Sequence, residues 1–154
     1  MTRTEGTAAA ARQLVGASRP LSWVNTAYPF AAAYLMAGGG LTAELVVGTV
    51  FFLVPYNLLM YGINDVFDYE SDLRNPRKGG VEGIVLASRW HRLTLWWACL
   101  LPVPFVLGLL WWGSWASAAV LVVTLVAVVA YSAPGMRFKE RPVLDSMTSS
   151  AHFV

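Results

Sequence analysis

The acids of this chain are concentrated where an apolar run ends. Asn64-Asp65-Val66-Phe67-Asp68-Tyr69-Glu70-Ser71-Asp72 follows directly on a long hydrophobic stretch. Desolvating even one carboxylate is costly, so acids at the end of a membrane helix bind a cation or line a wet cavity. On a continuous helix, Asp65, Asp68 and Asp72 fall within roughly 60° of one another, with Asn64 beside them. Glu70 points to the other side. Three carboxylates and one amide oxygen thus share a face, with no Lys or Arg inside the stretch. A hard divalent cation best relieves their repulsion, and all-oxygen donors suit Mg2+. The metal-ligand set expected is therefore Asn64, Asp65, Asp68 and Asp72.

Basic groups follow closely. The loop Arg74-Asn75-Pro76-Arg77-Lys78-Gly79-Gly80 places Arg77 and Lys78 after the acids. Metal-holding carboxylates beside Arg and Lys make a site for a diphosphate: the metal bridges phosphate oxygens, and the basic groups neutralise the remaining charge. A second basic group, Tyr131-Ser132-Ala133-Pro134-Gly135-Met136-Arg137-Phe138-Lys139-Glu140-Arg141, falls on the same membrane face, from which Arg137 and Lys139 can reach that diphosphate. The same residues also read as topology-setting charge or headgroup contacts.

The elements that position these groups follow from composition. The chain has 154 residues, 56% hydrophobic and 13% charged, which places it among integral membrane proteins. Four spans are expected, at about 21–36, 43–63, 93–112 and 115–133, each near the length that crosses the hydrocarbon. Pro29, Pro55, Pro102 and Pro104 fall inside them and require neighbours to satisfy the freed backbone groups. All 11 Lys and Arg precede the first span, lie between the second and third, or follow the fourth. The turns 38–42 and 113–114 contain none. This pattern predicts a cytoplasmic N-terminal segment (1–20), a transmembrane domain (21–154) with a cytoplasmic loop (64–92), and a cytoplasmic-side site. Trp111, Trp112 and Trp115 mark the outer interface, Trp23 and Trp90 the inner one. From Val143 onward the pattern starts a further amphipathic helix, as expected of the first half of a longer protein or of a truncated product.

At this point the residues resemble a known family. N-D-V-F-D-Y-E-S-D, R-N-P-R-K-G-G and Y-S-A-P-G-M-R-F-K are similar to motifs of the UbiA superfamily of intramembrane prenyltransferases, nearest its carotenoid branch, the lycopene elongases. The resemblance implies an all-α bundle of about nine helices, of which this chain holds four complete spans and the start of a fifth. It implies that Mg2+ grips a prenyl diphosphate in a cytoplasmic-side cavity of a multi-pass membrane protein. Asn64, Asp65, Asp68 and Asp72 match the first Asp-rich motif; Lys139, with Arg137, matches the basic position after the fourth helix. Asp68, Asp72 and Lys139 are then the catalytic set, and Arg77, Lys78, Arg137 and Lys139 bind the diphosphate. The second Asp-rich motif has no counterpart, since only Glu82, Glu140 and Asp145 follow Asp72.

The implied reaction leaves an allylic cation that apolar and aromatic walls must shield. Tyr61, one turn before Asp65, is the expected prenyl-pocket residue; Phe51, Phe52 and Tyr56 are further wall candidates. The partners implied are a prenyl diphosphate, a lipophilic acceptor, the bilayer and other membrane proteins of carotenoid synthesis. The acceptor is a carotenoid receiving a C5 unit or, alternatively, a quinone-precursor aromatic. An ion-binding transporter half predicts acids near the midplane without adjacent cations, unlike this pattern; an inactive fragment accounts for the missing motif. Nucleic-acid binding finds no support, because the basic residues are spent on one membrane face. His91 and His152 lack a second ligand at metal spacing, and the lone Cys99 reads as buried packing.

Overall fold

The computed structural model describes residues 3–79 and 83–151, so Gly80, Glu82, His152 and Val154 lie outside the described residues. All regular structure described is helical: α1 Arg3–Ala17, α2 Trp23–Met36, α3 Ala43–Leu53, α4 Pro55–Phe67, α5 Tyr69–Asp72, α6 His91–Leu100, α7 Val103–Trp112, α8 Trp115–Ser132 and α9 Pro142–Ala151. Thr42 caps α3 and Ser114 caps α8, each side chain accepting from a backbone N–H three residues on.

Three stretches are long and apolar enough to cross a membrane: Ala43–Phe67, Ser88–Trp112 and Trp115–Ser132. The expected first span differs. Its helix, α2, has 14 residues and rises about 21 Å, short of the roughly 30 Å hydrocarbon. Arg19 and Pro20 are the reason. Arg19 adopts a left-handed conformation, and a short 3-10 turn at Pro20–Ser22 precedes the helix. The further helix expected after residue 142 is present as α9.

Pro55 breaks the second span into α3 and α4. Lacking an N–H, it cannot continue the helical ladder, and Val54 leaves helical geometry at φ −120°. Neighbours repair the gap. Asn57, fully buried, donates from Nδ2 to Phe52 O (2.8 Å), Leu53 O (3.0 Å) and Thr26 Oγ1 (2.7 Å). Thr26 Oγ1 in turn donates to Phe52 O at 2.6 Å. Phe52 O and Leu53 O at the kink are thereby given donors without water, as the bilayer demands, and α2 is tied to the kink.

The core is built around α3 and α4. Phe51, Tyr56, Leu58, Leu59 and Ile63 are buried there with Ala17 of α1, Leu86, Ala98 of α6 and Val128 of α8. Helix α4 packs on α6, α8 and α1, and α2 packs on α3. At Gly62 a Cβ would lie 3.1 Å from Thr94 Cγ2, so the glycine is what lets α4 approach α6 closely. The N-terminal segment is thus a packed helix with a residue in the core. Cys99 is exposed rather than buried; the core-facing residues of α6 are Thr94 and Ala98.

Candidate functional site

The acids sit at the C-terminal end of α4, where the helix breaks. Asp68 is its C-cap at φ −101°, ψ 8°, and the one-turn helix α5 restarts at Tyr69. This break separates acids that a continuous helix would keep on one face. They divide into two groups, each bridged by a lysine.

The inner group is Asp65 and Asp72. Lys78 Nζ lies 2.6 Å from Asp65 Oδ1 and 2.7 Å from Asp72 Oδ2. Arg19 Nη2 lies 3.0 Å from the same Asp65 Oδ1. The side chains of Asp65 and Lys78 are 0% and 3% exposed. Two acids face two cations, so the group is neutral as it stands. Asp65 Oδ2 is buried without a hydrogen-bond partner.

The outer group is Asn64 and Asp68. Lys139 Nζ donates to Asn64 Oδ1 (3.3 Å) and pairs with Asp68 Oδ1. Ser132 Oγ donates to Asn64 Oδ1 at 2.8 Å. Arg137 Nη2 stands 3.6 Å from Asp68 Oδ1, and its Nε lies 2.8 Å from Glu140 Oε1. The arginine is 42% exposed, so this group opens to its surroundings. The chain between α8 and α9 carries these cations: a sharp turn with Arg137 at φ 39° leads into a 3-10 turn, Phe138–Glu140. Among the described residues, the non-glycine residues with positive φ are Arg19 and Arg137, and both touch the acid cluster. Such backbone strain gathers at functional sites.

The residues expected from sequence are largely brought together. Lys78, Arg137 and Lys139 meet Asn64, Asp65, Asp68 and Asp72, while Glu70 is exposed on the other side. Arg77 is exposed, its backbone N–H donating to Asn75 Oδ1 at 3.0 Å. The Tyr61 ring carries the Arg19 guanidinium at 4.1 Å, a cation–π contact. His91 Nε2 contacts Leu86 O at 3.0 Å, a structural role. Sequence reasoning missed Arg19, 46 residues before Asp65, and Ser132. A signal existed for Arg19: it is the cation nearest the start of the first membrane helix, and buried acids need equal numbers of cations.

Phe52 and Tyr56 are not at the acids. They line a cavity of about 500 Å³ with Phe30, Tyr34, Leu121 and Thr124, toward the Gly113 turn. Phe51 is in the core. The fully buried Tyr56 hydroxyl has no hydrogen-bond partner.

No three acidic, His or Cys side chains among the described residues converge in a metal-holding arrangement. The donor types nonetheless fit a hard cation: each ammonium stands where a positive ion is held by two oxygen donors.

The fold and site define a class: an all-helical protein with membrane-length helices and an acid–base cluster at one end of them. The comparisons with known proteins agree with it. The model of the UbiA prenyltransferase family matches residues 26–154, and this chain belongs to that family. It is 56% identical over 142 residues to a lycopene elongase/hydratase of Corynebacterium glutamicum, covering 92% of this chain and 50% of that protein. It is 58% identical over 149 residues to the C(50) beta-cyclic carotenoids biosynthesis protein LbtBC of Dietzia sp., covering 97% of this chain and 34% of that protein. A lycopene elongase/hydratase of Halobacterium salinarum is 34% identical over 145 residues, covering 92% and 51% respectively. The chain spans about half the length, or less, of these curated relatives. No solved structure matches it.

Proposed function

We propose that the protein containing this chain transfers a C5 prenyl group from a prenyl diphosphate to lycopene or a related carotenoid, with Mg2+. The carrying observation is the meeting of Lys139 with Asn64 and Asp68 across 75 and 71 residues of sequence. Cations and oxygen donors at one end of membrane-length helices suit a diphosphate held at a bilayer interface. The carotenoid acceptor rests on the relatives' names.

Asn64 and Asp68, with Asp65 and Asp72 beside them, would hold Mg2+, which would supply positive charge to the diphosphate oxygens. Lys139 and Arg137, with Arg77 from the loop that Lys78 pins to Asp65 and Asp72, stabilise the negative charge that builds on the diphosphate as it leaves. Ser132 orients Asn64. Tyr61 stands one turn from Asp65 as a wall of the prenyl site, its ring held by Arg19. The cavity at Tyr56 lies 12 residues before Asp68, about 18 Å along α4, beyond the reach of a C5 donor, and suits part of the long acceptor chain. The allylic cation forms at the acids' end, where Tyr61 is the shielding wall. A terminal alkene attacks that cation and a proton is then lost, so few polar handles are needed for the acceptor. The convergence of Arg19, Lys78 and Lys139 supports a site on the cytoplasmic face.

The test is Mg2+-dependent transfer of radiolabelled dimethylallyl diphosphate in membranes carrying the natural full reading frame, with lycopene and an aromatic acid as acceptors. Label enters lycopene, and Asp68→Ala or chelation abolishes it. Label entering the aromatic acid alone, or neither acceptor in membranes holding the inserted protein, overturns the assignment.

A further inference from the structure

The inner half of the acid cluster reaches the segment that the family match leaves out. That match begins at residue 26, yet Arg19 places its guanidinium between Asp65 and the Tyr61 ring. The corner after α1 is built to aim it. Trp23 Nε1 donates to Ser18 O (3.0 Å) and Ser18 Oγ (3.1 Å), and Ser22 N–H donates to Arg19 O at 2.8 Å. Pro20 disfavours ordinary helical geometry in the residue before it, and Arg19 takes φ 52° instead.

The loop after Asp72 is fitted to the same corner at three places. Lys78 shares Asp65 with Arg19. At Gly83, φ +86°, a Cβ would lie 3.0 Å from Arg19 Nε. At Gly16 of α1 a Cβ would lie 2.8 Å from Ile84 Cδ1, so the Ile84 side chain of the loop packs directly on the helix backbone there. Gly79 N–H donates to Gly83 O at 2.7 Å and closes the loop on itself.

We propose that Arg19 and α1 form a clamp that holds the loop segments 73–79 and 83–87 against the acid cluster, which makes Arg19 a positioning residue acting through Lys78. The logic is electrostatic. The Asp65 carboxylate is 0% exposed and has both Arg19 and Lys78 against it, while Lys78 also reaches Asp72. Arg19 neutralises Asp65, so Lys78 can bridge to Asp72 and pin the loop. The inner group then stays neutral, and the outer group of Asn64, Asp68, Arg137 and Lys139 is left for the diphosphate. This division of labour rests on the diphosphate reading above; the clamp does not.

Lysine occurs in this chain at Lys78 and Lys139, so amine acetylation read by peptide mass spectrometry reports the loop with an internal reference. In the full-length protein in detergent, Arg19→Met raises Lys78 labelling about tenfold relative to Lys139, since a buried charge has lost its counterpart's support. Arg19→Lys restores most of the protection. In transfer assays Arg19→Met raises KM for the prenyl diphosphate about tenfold with kcat within about threefold, as expected when the loop that carries Arg77 is loosened and binding weakens while the reacting groups stay in place. Where Arg19→Met fails to insert, Gly83→Ala carries the same test by steric pressure and leaves every charge in place. Unchanged Lys78 labelling in both variants overturns the clamp; a loss in kcat alone overturns the positioning role of Arg19 in substrate binding. Labelling needs no turnover, so an opened loop in a protein that transfers no prenyl group would refute the function and leave the clamp standing.

Discussion

The division of the acids into two groups separates stability from catalysis, and Asp65→Asn against Asp68→Asn measures it. Asparagine keeps the shape of either side chain and removes one charge. At Asp65 the carboxylate is 0% exposed, and its partners Arg19 and Lys78 are 16% and 3% exposed. Removing one member of a buried ion pair costs 3–5 kcal/mol in general. Two features place this case at the lower end. Lys78 keeps Asp72 at 2.7 Å, and Arg19 keeps the Tyr61 ring and some solvent. The expected loss is about 3 kcal/mol, or a factor of about 150 in the folding equilibrium. At Asp68 the side chain is 16% exposed, and its partners Lys139 and Arg137 are 14% and 42% exposed. With both partners reached by solvent and Lys139 keeping Asn64, the loss is about 1 kcal/mol. At about 2–4 °C per kcal/mol for a chain of this size, melting in detergent falls about 6–12 °C for Asp65→Asn and about 2–4 °C for Asp68→Asn. Tryptophan fluorescence during thermal or SDS unfolding gives both values, and the transfer assay is run on the surviving protein. Asp68→Asn loses transfer at nearly normal stability. The reasoning is refuted if Asp65→Asn melts within about 2 °C of the parent, or if Asp68→Asn is the less stable of the two.

Two further outcomes test the remaining geometry. Lys139→Met removes the ammonium shared by Asn64 and Asp68; KM for the prenyl diphosphate rises about 30- to 100-fold, the scale of one charge-assisted contact, while melting shifts little. Asn57→Leu strips the donors from Phe52 O and Leu53 O at the α3–α4 kink; the cost is about 2 kcal/mol, and amide exchange speeds up around residues 51–58 before it does elsewhere.

The parts legible in sequence are those governed by neighbouring residues. Apolar run length marked spans at about 43–63, 93–112 and 115–133, found at Ala43–Phe67, Ser88–Trp112 and Trp115–Ser132, because crossing hydrocarbon is a property of one segment. The spacing of Asn64, Asp65, Asp68 and Asp72 marked an end where negative charge must be compensated, because desolvated carboxylates need counter-charges. The position of Lys139 after an apolar span of known direction was enough to place it near them. Pro55 announced a kink, although its repair by Asn57 and Thr26 needed α2 in place.

Which cation serves which acid was decided by tertiary structure. On a straight helix the three carboxylates share one face; the break at Asp68 divides them, and the break depends on how α5 and the following loop pack. Arg19 looked like one of several topology-setting charges. Only the seating of α1 against α4 and α6 brings it to Asp65. The first span shortened for the same reason, since the corner at Arg19 and Pro20 serves the ion pair. Sequence determines where charge must be compensated, because desolvation is local and large. Tertiary structure alone decides by whom, because Coulomb attraction has no preference among cations until packing sets the distances.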